Sequence, residues 1–164
     1  MSGSQLLCLA LVVSTSAALA SGQTARIVTA VLPGTSTVVV VAEGDFEPRS
    51  LGSYSVRIYA GLNPRFPYDH FIAGIVRPRD GTVEHVLFSD LDRDGSPEII
   101  VVIRSAGTGG YLSADAFRLH GTILSLVESV SGLAKDADPV RALQAEFING
   151  TELRAAPRTS EPRR

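Results

Sequence analysis

Ile99-Ile-Val-Val-Ile103 is an unbroken run of five β-branched residues, and it restricts the fold more than any other stretch of the chain. Side chains branched at Cβ are stiff at χ1 and suit a pleated, half-buried surface. A run this short, with no polar alternation, reads as a strand buried on both faces. Less uniform signals of the same kind surround it. Thr35 to Ala42 is a valine run ended by Glu43-Gly-Asp45, and Tyr54-Ser-Val-Arg-Ile58 alternates apolar with polar, as a strand with one wet face should. Phe71 to Val76, Val83 to Phe88, Ser113 to Leu119 and Ile123 to Val130 continue the series. Asp80-Gly81 and Gly121-Thr122 stand between members as hairpin candidates. With almost no helical periodicity to cover a sheet, the economical arrangement is sheet on sheet. The pattern predicts an all-β protein, an antiparallel β-sandwich of about eight strands with one short C-terminal helix. In that helix Asp138 is the N-cap, Pro139 sits where a missing N–H is harmless, Val140, Leu143 and Phe147 share a face, and Asn149-Gly150 ends it. It is expected to pack on a sheet edge or end.

The chain has 164 residues, enough for one domain that buries a core without staples. Three parts are expected: a signal peptide over 1–20, a β-sandwich over 21–150, and a solvated tail over 151–164 that holds four arginines, two glutamates and two prolines. Leu6 to Val13 is too short an apolar run to span a bilayer, and Ala18-Leu-Ala20 supplies the small residues of a cleavage site. The single cysteine, Cys8, lies in the removed segment, so no disulfide is available to the mature chain. An exported protein without disulfides fits a bacterial periplasm. A net charge of −2 excludes the basic balance of a nucleic-acid-binding protein, and no membrane span remains after cleavage.

Candidate functional chemistry concentrates in two loops. The buried run leads into Ser105-Ala-Gly-Thr-Gly-Gly-Tyr111. Glycine lets a backbone approach another surface closely, and Tyr111 offers a large, low-entropy aromatic with a hydroxyl at its tip. Ser105, Gly107, Thr108, Gly109, Gly110 and Tyr111 are therefore candidate partner-binding residues, against the plainer reading of a glycine-rich turn. No lysine follows the glycines and no helix opens after them, so neither a Walker loop nor a dinucleotide fingerprint is present. In the second loop, Asp90-Leu-Asp-Arg-Asp-Gly-Ser-Pro-Glu98, alternate carboxylates are spaced to wrap a hard cation. Asp90, Asp92, Asp94 and Glu98 are candidate Ca2+ ligands, against an Asx-rich turn whose carboxylates bond nearby N–H groups. The twelfth position of an EF-hand is Val101, so a full loop of that type is excluded. His70, His85 and His120 lie on separate segments with no metal-ligand spacing, and no nucleophile elbow or acid pair is visible. An enzyme is not expected.

Four blocks resemble the periplasmic inhibitors of invertebrate-type (i-type) lysozyme: Val41 to Ile58, Asp90 to Glu98, Arg104 to Phe117 and Gly132 to Val140. The resemblance implies a β-sandwich in the bacterial envelope that blocks i-type lysozyme by inserting a loop into its active-site cleft. It further implies that Thr108 and Tyr111 match that loop's small hydroxyl residue and its tyrosine. A calcium-dependent envelope binding module built on Asp90, Asp92 and Asp94 is the alternative. A homodimer through sheet faces or edges is compatible with either.

Overall fold

Eight strands form two four-stranded antiparallel sheets in the computed structural model, which describes residues 27–155, with side chains for 27–149. The first sheet has the order β1 (Ile27–Val31), β2 (Val38–Glu43), β3 (Leu51–Tyr59), β4 (Phe71–Asp80). The second has the order β5 (Thr82–Ser89), β6 (Glu98–Arg104), β7 (Leu112–His120), β8 (Ile123–Leu133), and α1 (Pro139–Ala155) follows it. The segment expected to be a signal peptide, and residues 156–164 of the expected tail, lie outside the described residues.

The period-2 geometry of strands sorts the apolar residues into two cores. Val39, Val41, Tyr54, Val56 and Ile58 of the first sheet meet Val83, Ile99, Val101, Ile103 and Phe117 of the second. The alternate residues of β6, Ile100 and Val102, point the other way and join Leu112, Ala114, Ala116 and Val130 under Leu143 of α1. The run Ile99 to Ile103 is thus buried on both faces, by a sheet on one side and a helix on the other. Gly121-Thr122 turns β7 into β8 with His120 opposite Ile123, a two-residue hairpin as expected.

Three expectations are corrected. Asp80-Gly81 is not a hairpin: β4 and β5 belong to different sheets, and Gly81, at φ +114°, carries the chain across between them. The helix lies on the outer face of β7 and β8 rather than on an edge or end, because Val102 and its neighbours leave a second apolar surface there. It also runs through Asn149-Gly150 to Ala155, into the segment expected to have no structure. A glycine inside a helix costs only about 1 kcal/mol, and Glu, Leu, Arg and Ala after it are good helix formers. Asp138 does cap the helix, its Oδ1 accepting from the N–H groups of Val140 (3.0 Å) and Arg141 (3.3 Å).

Polar bridges tie the sheets together inside this apolar frame. Asp115 on β7 accepts from the Tyr54 hydroxyl on β3 (2.5 Å), Arg77 Nε on β4 (3.2 Å) and the Ser129 hydroxyl on β8 (2.6 Å). Arg79 is buried at the crossover, where it donates to the carbonyls of Ser53, Arg49, Pro48 and Gly81. Burial, and then the hydrogen bond to Asp115, push the Tyr54 hydroxyl well above its usual pKa of 10.0. In the unfolded chain that phenol ionises near pH 10, whereas in the native state it keeps its proton. Above pH 10 the native state binds more protons, so stability should fall by up to about 1.4 kcal/mol per pH unit. Tyr54→Phe should flatten this alkaline slope while lowering stability at pH 8 by about 1–2 kcal/mol. Urea midpoints between pH 8 and 11.5 check this, and equal slopes for the two proteins would contradict it.

Candidate functional site

One end of the sandwich gathers the connections β2–β3, β4–β5 and β6–β7. Gly81 N–H donates to the Ser50 carbonyl (2.8 Å), and a Cβ on Gly81 would overlap the Arg104 carbonyl oxygen and lie 2.7 Å from Ser105 Cα. The crossover between the sheets therefore packs directly under the root of the β6–β7 loop.

That loop is Ser105 to Tyr111. Its root is closed by Ser105 N–H to the Tyr111 carbonyl (2.9 Å), and its tip by a turn in which Gly110 N–H donates to the Gly107 carbonyl (3.1 Å). Gly110 takes φ +54°, a conformation that costs a Cβ-bearing residue about 1–2 kcal/mol. The Tyr111 ring lies across Gly109: a Cβ there would sit 2.9 Å from Cδ2 and 3.0 Å from Cζ. Glycine at 109 is thus what allows the ring to fold along its own loop and still be 56% exposed. Ala106, Gly107, Thr108 and Gly109 are exposed, and among the described residues their N–H groups and the Thr108 hydroxyl have no hydrogen-bond partner. The Gly110 N–H, by contrast, is engaged within the turn and is not available as a donor. Ser105 sits half-buried at the root, its Oγ enclosed and, among the described residues, without a hydrogen-bond partner.

The residues that hold this loop carried no functional signal in the sequence. Arg104, the last residue of β6, donates Nη1 to the Gly110 carbonyl (2.8 Å) and to the Lys135 carbonyl (3.2 Å), and its Nε and Nη2 meet both oxygens of Glu84 (2.8 and 3.0 Å). A charge-assisted hydrogen bond inside an ion pair is stronger than one between neutral groups. Glu84 reaches Arg104 because it is the extra residue of a bulge between Val83 and His85, and bulges re-aim side chains.

The acidic loop joins β5 to β6 at the opposite end of those strands. Asp90, Asp92 and Glu98 come together, with one oxygen of each within 4.8 Å of the others, whereas Asp94 is outside the group. Hydrogen bonds already engage these carboxylates. Asp90 accepts from the N–H groups of Asp94 and Gly95, Asp94 from that of Ser96, and Glu98 Oε2 from that of Leu91 (2.8 Å). Arg118 supplies the positive charge, reaching Glu98 Oε1 at 2.7 and 2.8 Å and Asp92 Oδ2 at 2.5 Å. The bond to Glu98, whose side chain is fully enclosed, outweighs burial and raises the Arg118 pKa. His70, His85 and His120 are exposed, and among the described residues no other group of His, Cys, Asp or Glu is spaced for a metal.

The two-sheet scaffold carries a firmly rooted, glycine-rich loop with an exposed aromatic, and such a feature suits contact with another molecule. The family model for the periplasmic lysozyme inhibitor of I-type lysozyme matches residues 24–147. The chain belongs to that family and is not an enzyme. Its fold also resembles the crystal structure of the periplasmic lysozyme inhibitor of I-type lysozyme from Aeromonas hydrophila, at 49% identity and a TM-score of 0.67 over 72% of this chain and 98% of that one. The same Aeromonas hydrophila protein in complex with Meretrix lusoria lysozyme matches at 49% identity and a TM-score of 0.67, over 73% of this chain and 95% of that one. No curated protein matches the chain. Among the described residues, no helix is long and apolar enough to cross a membrane.

Proposed function

We propose that this protein inhibits I-type lysozyme in the periplasm by seating the Ser105 to Tyr111 loop in the enzyme's substrate groove. The observation that carries the reading is the loop itself, whose root is fixed by Arg104, Glu84 and Gly81 while its tip presents unpaired donors and an exposed ring. Lysozymes hold a pair of carboxyl groups beside the scissile glycosidic bond. The N–H groups of residues 106–109 and the Thr108 hydroxyl suit those acids, and the flat face of Tyr111 suits a saccharide subsite. Little ordering entropy is lost on binding, because the loop is already closed on itself. The complex formed by the Aeromonas hydrophila relative supports a lysozyme as the partner.

A lysis assay of the purified protein against invertebrate-type, chicken-type and goose-type lysozymes in parallel tests this. Invertebrate-type lysozyme should be inhibited at near-stoichiometric concentrations. Full activity of that enzyme in the presence of excess protein would refute the proposal.

The Asp90 to Glu98 loop enters this reading as a brace held by Arg118 rather than as a cation site. Ca2+ would have to displace a guanidinium already bonded to Glu98 and Asp92. Unfolding midpoints in millimolar Ca2+ and in chelator should agree within about 1 °C, since only a ligand that binds the folded state raises its stability. A rise of several degrees with Ca2+ would place a cation in the loop.

A further inference from the structure

Tyr111 shares its end of the sandwich with another exposed aromatic. Phe46, in the β2–β3 connection, is 99% exposed, and its backbone takes φ +63°. Both features run against stability. A phenyl ring left in water forgoes the burial that ordinarily places phenylalanine inside a protein. The left-handed region crowds a Cβ against the neighbouring carbonyl oxygen, so glycine or asparagine is its usual occupant. A bulky side chain held there, outside every core, marks a position shaped by something other than folding.

The turn that presents this ring is pinned. Glu47, the next residue, accepts from the Ser53 hydroxyl (2.8 Å) and the Ser53 N–H, and Gly44 N–H donates to the Ser53 carbonyl (3.0 Å). The buried Arg79 donates to the carbonyls of Pro48 and Arg49, each at 3.0 Å. The same guanidinium donates to the Gly81 carbonyl, in the crossover that packs under Arg104 and Ser105. Arg79 thereby joins the base of the Phe46 turn to the root of the loop over residues 105–111, and the two are braced against one another.

We propose that Phe46 is a second anchor for I-type lysozyme, its ring seated in an apolar depression of the enzyme beside the subsite that Tyr111 fills. This deepens the inhibitory reading above and rests on it. Ligand grooves are lined mostly by apolar and aromatic side chains, so a substrate groove plugged at its acidic pair still offers apolar surface alongside. A ring on a pinned turn loses little entropy when it docks, and nearly its whole surface is available for burial. Large aromatic side chains that become enclosed on binding supply much of the affinity of such interfaces. For the fold alone, asparagine would serve better at position 46; the enzyme accounts for the phenyl ring.

Surface plasmon resonance on immobilised I-type lysozyme, beside thermal unfolding of the free protein, tests the proposal. Phe46→Ala and Phe46→Asn should each weaken binding by about tenfold or more, mainly through faster dissociation. Phe46→Tyr keeps the ring and should stay within about threefold of wild type. The unfolding midpoint should stay within about 2 °C of wild type for Phe46→Ala, and should be equal or a few degrees higher for Phe46→Asn, which suits a positive φ. Phe46→Asn that binds within twofold of wild type would overturn the proposal. So would a midpoint lowered by more than about 4 °C in Phe46→Ala, because the ring would then be part of the fold. Tyr111→Ala separates this inference from the one beneath it. If that variant is weakened and Phe46→Asn is not, the second anchor alone fails, whereas a wild type that does not bind the enzyme overturns the inhibitory reading and the anchor with it.

Discussion

Tyr111→Ala is expected to raise the inhibition constant for I-type lysozyme by roughly thirtyfold or more, equivalent to about 2 kcal/mol. An aromatic at the centre of an interface loses its buried area and its water-excluding fit when truncated, and both losses fall on binding alone. The fold should hardly respond, because the ring is 56% exposed and lies over Gly109 rather than in a core. The unfolding midpoint is expected within about 2 °C of wild type. A variant that inhibits as well as wild type would remove Tyr111 from the interface. One that unfolds early would show that the ring has a structural role instead.

Asp115→Ala is expected to have the opposite profile, with a large loss of stability and no specific effect on the loop over residues 105–111. Asp115 links β3, β4 and β8 to β7 through Tyr54, Arg77 and Ser129. Its removal leaves a buried hydroxyl and a guanidinium without their acceptor, a defect that costs 3–5 kcal/mol when the orphaned groups are fully enclosed. Arg77 remains about a third exposed and recovers some hydration, so about 3 kcal/mol is the expected loss. In a domain of this size that lowers the unfolding midpoint by roughly 10 °C. Urea denaturation reads the loss directly, and a change below 1 kcal/mol would show that the network contributes little. At temperatures where the variant stays folded, its inhibition constant should match wild type.

Features governed by local chemistry were legible in the sequence, and features set by register were not. Ile99 to Ile103 announced a doubly buried strand because five β-branched residues have no other use in so short a run. Asp138-Pro139 announced a helix start through its capping atoms. Gly121-Thr122 and Asp80-Gly81 look alike locally, yet one closes a hairpin and the other crosses between sheets. The difference lies in whether the flanking strands pair, which no dipeptide encodes. The same holds at the site. The glycines and tyrosine of residues 105–111 stand out by composition, whereas the Arg104–Glu84 pair that fastens the loop depends on a bulge in β5. The acidic loop showed its turn chemistry, but the guanidinium that neutralises it comes from Arg118 on β7, a distant part of the chain.

The structure of this protein bound to an I-type lysozyme is the most direct measurement of the mechanism. It should show the Tyr111 ring inside the substrate groove, with N–H groups of residues 106–109 or the Thr108 hydroxyl bonded to the enzyme's acidic pair. A complex in which the groove is open and the lysozyme rests on another face of the sandwich would contradict the account.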